Sequence, residues 1–257
     1  MTGPLVWRDA ATPLLDWTAA PGGVRVSFTG RLGGVSAGPF ASLNLGALTD
    51  DEPANVAVNR RRAVEAAGGR GEDATMAWQV HGTQVREVTS QPSTGRFLEP
   101  GREPFPKSDG LVTGVAGRPM TLLTADCLPI AIAARDGSRL ALLHAGWRGL
   151  EAGIAGEGAR SVAAPSVAAV GPGAGPCCYE VQEDVAAPLR ARFGDDVIRD
   201  GRADLWMCAE RALRAAGVEE VAVAGECTIC NGDRYFSHRR DHGVTGRQGV
   251  VGILEHG

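Results

Sequence analysis

Three short strings place metal-ligand side chains at the ends of apolar runs. They are Gln79-Val80-His81-Gly82, Ala125-Asp126-Cys127 and His144-Ala145-Gly146-Trp147-Arg148-Gly149. The runs that precede them, 74–80, 120–125 and 140–143, read as strands, and strand ends meet at the rim of a sheet, where sites are commonly built. Two imidazoles and one thiolate (His81, His144 and Cys127) form the donor set of a catalytic zinc, which keeps its fourth position open. Protons compete with the metal for all three donors, so affinity is expected to fall steeply as pH drops. Neither spacing between the three matches a zinc-finger pair, and the same residues suit hydrogen-bonded sheet-end histidines and a small buried thiol equally well. Without a metal, Cys127 and His144 read as a nucleophile–base pair. Asp126 suits proton transfer or a turn carboxylate; on extended backbone its side chain faces away from that of Cys127.

A second ligand string, Cys227-x2-Cys230-x7-His238-x3-His242, has a spacer shorter than the usual finger, and Arg239, Arg240 and Asp241 interrupt it. Tyr235-Phe236-Ser237 within it reads as a strand, and Cys177 and Cys178 read as packing thiols. Seven arginines offer forks for an anion: Arg31, Arg60, Arg61, Arg148, Arg239, Arg240 and Arg247. Lys107 is the only lysine, so arginine is the default cation here and most of these read as solvated charge. Asn44, flanked by Leu43 and Leu45, reads as a half-buried amide committed to a partner.

The elements that must carry these residues are punctuated by Gly and Pro. Residues 24–29, 166–170, 220–224 and 250–254 read as strands. A helix is expected after Asp50 or Asp51, with Pro53 in its first turn and Gly68-Gly69 beyond its end. Further helices are expected over 150–163, 183–193 and 203–216, the last ended by Gly217. Residues 91–108 read as a long loop. Strands and helices alternate without a clean βαβ repeat, which points to one α/β or α+β domain with a mixed sheet, preceded by an N-terminal extension over 1–23.

With 257 residues the chain can bury a full core, and 44% hydrophobic with 22% charged residues is ordinary for a globular protein. A formal net charge of −4 argues against nucleic acid or an anionic membrane as the main partner. No run approaches the ~20 apolar residues of a membrane span, and no basic segment followed by an apolar block marks a secretory leader. Cytoplasmic residence and reduced thiols are therefore expected.

Taken together the strings are more specific than any one alone. Phe28-Thr29-Gly30-Arg31 with Gly33-Gly34-Val35-Ser36, Ser42-Leu43-Asn44-Leu45-Gly46, Val58-Asn59-Arg60 and Gln79-Val80-His81-Gly82 are followed by Thr124-Ala125-Asp126-Cys127-Leu128-Pro129 and His144 to Gly149. Gly171-Pro172-Gly173, Cys178-Tyr179-Glu180-Val181, Cys227-Thr228, Phe236 to Asp241 and Thr245-Gly246-Arg247 complete the set. In this order the chain resembles the YfiH-like family, variously called multicopper polyphenol oxidoreductase (laccase-like), peptidoglycan editing factor and purine nucleoside phosphorylase. Gly30, where a polar residue is frequent, and His238, where Tyr is frequent, depart from its pattern.

The resemblance implies a single-domain mixed β-sheet sandwich with helices packed outside. It implies one Zn2+ on His81, Cys127 and His144, with Cu2+ as the alternative ion. It implies phosphorolysis of adenosine, inosine and S-methyl-5′-thioadenosine, with adenosine deamination as a second activity. Cys127, Asp126 and Arg148 are then the catalytic candidates, and Arg60, Asn44, Ser36, Gln79 and Arg239 the candidates for substrate and phosphate. The expected partners are purine nucleosides and phosphate, with no nucleic acid or membrane, and the expected state is a monomer. The competing readings are a copper-dependent polyphenol oxidase and an accessory peptidoglycan-editing factor working with a cell-wall precursor ligase.

Overall fold

The structure, a computed structural model, describes residues 3–89, 96–101, 105–163 and 165–255. Leu128–Ala134 and Leu140–Ala145 are two apolar runs in which every residue is buried. A run buried on both faces belongs at the centre of a sheet. The two pair antiparallel across a turn in which Gly137 has φ 74°. Around them lies a six-stranded sheet in the order Glu220–Val223, Ser166–Val170, Leu128–Ala134, Leu140–Ala145, Gly110–Thr113 and Val85–Glu87. A second six-stranded sheet runs Leu5–Arg8, Leu14–Trp17, Val24–Thr29, Gln248–Leu254, Met120–Thr124 and Thr75–Met76. Both are mixed: Ser166–Val170 pairs parallel with Glu220–Val223, and Thr75–Met76 parallel with Met120–Thr124.

The sheets face each other through alternating side chains. Phe28, Met120, Leu122 and Val250 from one pack on Ala131, Ala133, Leu140 and Leu142 from the other. Small alanines opposite large residues let the two layers interdigitate at interior density. The opposite faces are covered by helices. On one side α1 (Pro53–Ala66) lays Val64 over Leu14, Val251 and Ile253. On the other, α2 (Trp147–Ala152), α3 (Ile154–Val162), α4 (Glu183–Phe193) and α5 (Leu205–Ala215) cover Ile130, Ile132, Leu143 and Val170. The mixed sandwich with helices outside is the expected architecture.

Several elements differ from expectation, each for a local reason. Within residues 1–23, Leu5–Arg8 and Leu14–Trp17 are strands of the second sheet, with Leu14, Leu15 and Trp17 in the core. The helix over 150–163 is two helices, because Gly153 takes φ 103° and ends the first one. Tyr235-Phe236-Ser237 forms no strand; instead the Gln248 side chain bonds both the N–H and the carbonyl of Phe236, standing in for a neighbouring strand. Of residues 74–80 only Thr75–Met76 is a strand, and His144 lies inside its strand instead of after it. Within 91–108 the described part includes a turn at Arg96–Leu98 that buries Phe97, while 91–95 and 102–104 lie outside the described residues. Among the described residues no helix is long and apolar enough to cross a membrane.

Candidate functional site

His81, Cys127 and His144 meet where the two sheets adjoin. Gln79 stitches its segment to the edge of Met120–Thr124: its side-chain amide donates to the Leu123 carbonyl at 2.6 Å and accepts from the Leu123 N–H at 2.9 Å. That pairing directs the following loop, and His81, towards the bend at 125–127 that carries Cys127. One donor atom from each of His81, Cys127 and His144 lies within 4.8 Å of the other two. The imidazoles meet edge to face, 4.8 Å between centroids at 71°. Tetrahedral zinc with Zn–S near 2.3 Å and Zn–N near 2.0–2.1 Å needs donors roughly 3.3–3.6 Å apart, so the trio fits one ion after small side-chain rotations. A Cβ on Gly146 would stand 2.8 Å from Cys127 Sγ and 3.3 Å from His81 Cδ2, so glycine there keeps the donors clear.

Two strained backbone positions lie at the same place. His81 (φ 61°) and Asp126 (φ 86°) are both in the left-handed region without being glycine. Such residues persist where the surroundings over-determine them, as at binding sites. The bend at Asp126 also removes the extended geometry expected there, so Asp126 and Cys127 both line one cavity.

Asp109 organises the ligands from beneath. Fully buried, it accepts from the N–H groups of His81 (2.8 Å) and Gly82 (2.7 Å), and lies 2.9 Å from His144 Nδ1. Its own carbonyl accepts the His144 N–H at 2.7 Å. With Nδ1–H donated to Asp109, His144 presents Nε2 to the metal position, the usual carboxylate–histidine pairing behind a metal. Burial alone would raise the Asp109 pKa, but His144 and the N–H groups of Gly82 and Val80 hold it below the ordinary value. Burial likewise opposes ionisation of Cys127, yet His144 and His81 bring it down to about 6. Burial disfavours the charged His144 ring, but the Cys127 thiolate and Asp109 carry it up to about 9. These are two sides of one attraction, a thiolate seeking a positive partner, and a dication satisfies it more fully than a proton does.

Above the trio opens a cavity of about 740 Å³, a size suited to a small-molecule ligand. Met76, Trp78 and Phe105 give it an apolar wall, and Arg239, Arg247, His238 and Tyr179 a polar one. Arg239 stacks its guanidinium 5.0 Å over the Tyr179 ring and donates to the Glu180 carbonyl. Arg247 donates to the carbonyls of Thr245 and Gly246, and burial lowers its pKa against the pull of Asp126 and Cys127. Burial, followed by the Cys127 charge, pushes the Tyr179 hydroxyl up to about 12.

The other residues singled out from the sequence fall into different places. Gln79, Asp126 and Arg239 line the cavity with the three ligands. Asp126 has both oxygens engaged, accepting from the Thr228 hydroxyl and from the Arg239 N–H, each at 2.7 Å. Arg60 touches the cavity, but its guanidinium is buried on the carbonyls of Leu45 and Phe97, and burial lowers its pKa to about 10. Asn44 is buried and holds Thr49, Asp51 and the N–H of Arg247. Ser36 donates to Asp51. Arg148 is exposed, its guanidinium over the Trp147 ring, outside the cavity lining. Ser36, Asn44 and Arg148 thus stand apart from the cavity, two of them because they brace the loop that carries it. Asp109 and Tyr179 escaped sequence reasoning; the available signal was a carboxylate directly before a buried strand.

Residues 25–255 match the family described as multi-copper polyphenol oxidoreductase laccase. The chain is 37% identical to purine nucleoside phosphorylase YlmD of Geobacillus stearothermophilus over 95% of both chains. It is 34% identical to purine nucleoside phosphorylase YfiH of Escherichia coli over 88% of this chain and 92% of that one. The crystal structure of YlmD from Geobacillus stearothermophilus superposes with a TM-score of 0.89 at 35% identity, covering 98% of this chain and all of that one. That of Bacillus licheniformis YfiH gives 0.89 at 30% identity over 97% and 99%.

Proposed function

The chain belongs to the multi-copper polyphenol oxidoreductase laccase family, which includes YfiH and YlmD, and we propose that it is a zinc-dependent purine nucleoside phosphorylase. Its substrates in this reading are adenosine, inosine and S-methyl-5′-thioadenosine with phosphate, with adenosine deamination as a side activity, carried out by a cytoplasmic monomer. One observation carries the reading: a two-histidine, one-cysteine donor set on the floor of a cavity whose walls hold Arg239 and Arg247 with the apolar Met76, Trp78 and Phe105.

Met76, Trp78 and Phe105 suit a purine, and Arg239 with Arg247 suits a phosphate dianion. In phosphorolysis a phosphate oxygen bonds to C1′ while the C1′–N9 bond breaks. Its electron pair goes to the purine, which takes up a proton. Among the described residues lining the cavity, His238 is the imidazole outside the metal trio and is our candidate to supply that proton. Asp126 holds the Arg239 backbone in place, and Gln79 holds the His81 loop. A bound zinc ion supplies Lewis-acid polarisation at the cavity floor.

The copper polyphenol oxidase reading has the family description in its favour. The donors oppose it: five histidines in the whole chain are few for several copper ions, and one trio accounts for two of them. The deciding experiment incubates the protein with adenosine and phosphate and follows adenine and ribose 1-phosphate, alongside metal analysis. Zinc loss and loss of turnover together in His81→Ala and Cys127→Ala support the reading. Phenol oxidation that tracks copper loading, or full metal content and activity in His81→Ala, would overturn it. A pure accessory role with a cell-wall precursor ligase would show no nucleoside turnover at all.

A further inference from the structure

Four more cysteines converge away from the cavity. Cys177 and Cys178 sit on the Gly- and Pro-rich loop after Ser166–Val170, and Cys227 and Cys230 on the loop after Glu220–Val223. Their sulfurs all lie within 4.8 Å of one another, and Cys177 and Cys230 are 3.2 Å apart. Cys227 therefore finds its partners some fifty residues upstream, and His238, reserved for it by the sequence spacing, lines the cavity instead.

The backbone is arranged to present sulfur on both loops. Neighbouring residues such as Cys177 and Cys178 face opposite ways on a strand. Here Cys178 and Tyr179 both return their N–H to the Gly175 carbonyl, and the resulting turn puts both thiols on one side. Across from them the Cys227 sulfur accepts the Gly175 N–H at 3.3 Å, and the N–H groups of Ile229 and Cys230 also point at it. Converging N–H donors stabilise a thiolate and serve as the hydrogen bonds that steady a metal-bound sulfur. The loops are also joined directly: the Gly173 N–H bonds the Glu226 carbonyl and the Thr228 N–H bonds the Gly173 carbonyl.

We propose that Cys177, Cys178, Cys227 and Cys230 bind a second zinc ion, a closed tetrathiolate site that clamps these two loops together. Four sulfurs at about 2.3 Å from one ion stand about 3.8 Å from each other, between the shortest contact and the upper bound seen here. Four protein donors leave no open position, which makes this a structural site, in contrast to the three-donor trio under the cavity. What it clamps matters for that cavity. Tyr179 follows Cys178 directly and lines it, and Thr228 follows Cys227 and donates to Asp126.

The test is metal analysis of protein purified anaerobically under reducing conditions with zinc supplied. The wild type is expected to carry two zinc ions per chain. His81→Ala/Cys127→Ala, which leaves the cluster untouched, is expected to keep one, and Cys227→Ser/Cys230→Ser to lose one. Cobalt substituted into His81→Ala/Cys127→Ala should show the intense sulfur-to-cobalt absorption of a four-sulfur site. If the Cys227/Cys230 variant fails to fold, the zinc count and cobalt spectrum of the His81/Cys127 variant decide. A zinc-free His81/Cys127 variant whose remaining thiols all react as free thiols would overturn the proposal. So would intact mass showing these cysteines paired as disulfides under the same conditions.

Discussion

Asp109 and His144 are joined twice, side chain to side chain at 2.9 Å and His144 N–H to Asp109 carbonyl at 2.7 Å. The same carboxylate accepts from the backbone of His81. One buried charge therefore orients the His144 ring and holds the backbone that carries His81.

Asp109→Asn should weaken zinc binding by about 10–100-fold, the range for carboxylates behind metal-bound histidines. The amide keeps the shape but turns an NH2 towards N–H groups that need an acceptor. Competition against a chromophoric chelator measures the change. Affinity equal to wild type would show that the Asp109 contact does not orient the ligand.

Arg247→Gln is expected to raise the KM for phosphate about tenfold or more, since charge-assisted hydrogen bonds contribute roughly 1.5–3 kcal/mol. Arg148→Ala, on a side chain exposed over Trp147, should change it less than about twofold. Steady-state kinetics with phosphate as the varied substrate separates the two. The reverse ranking would put phosphate near α2.

Asp126→Asn should lower turnover while leaving the pH–rate profile unchanged in shape. Both its oxygens already accept hydrogen bonds, from Thr228 and from the Arg239 N–H, so the group acts by position. A lost titration limb in the variant would instead make Asp126 the proton-transfer group.

Asp241 tests the sign of a pH effect on stability. Burial opposes its ionisation, but its hydrogen bonds from Arg240 and Thr245 prevail and lower its pKa. A depressed carboxylate stabilises the fold above its unfolded value, near ~3.9, and that contribution disappears as pH falls through the folded value. Zinc-stripped wild type should therefore exceed Asp241→Asn by on the order of 1 kcal/mol at pH 6, with the gap closing towards pH 3. Urea midpoints at both values provide the check, and a gap that widens on acidification would contradict the assignment.

Local chemistry in the sequence determined a good deal on its own. Pro53 and Gly68-Gly69 bracket α1, Gly217 ends the segment after α5, and the apolar run at 166–170 is a strand, because backbone restriction and burial act over a few residues. The donor types of His81, Cys127 and His144 and the order of the family strings were equally legible. Tertiary structure alone decided how these parts meet. It put Leu5–Arg8 and Leu14–Trp17 into a sheet, let the Gln248 side chain replace a strand beside Phe236, and brought Asp109 under His144. It also withdrew Asn44 and Ser36 into bracing roles and joined Cys177 and Cys178 to a cysteine pair that their spacing assigned to histidines. The reason is physical: a hydrogen bond or a shared ion between residues tens of positions apart leaves no periodicity in either segment, and only the packing of two sheets sets the distance between them.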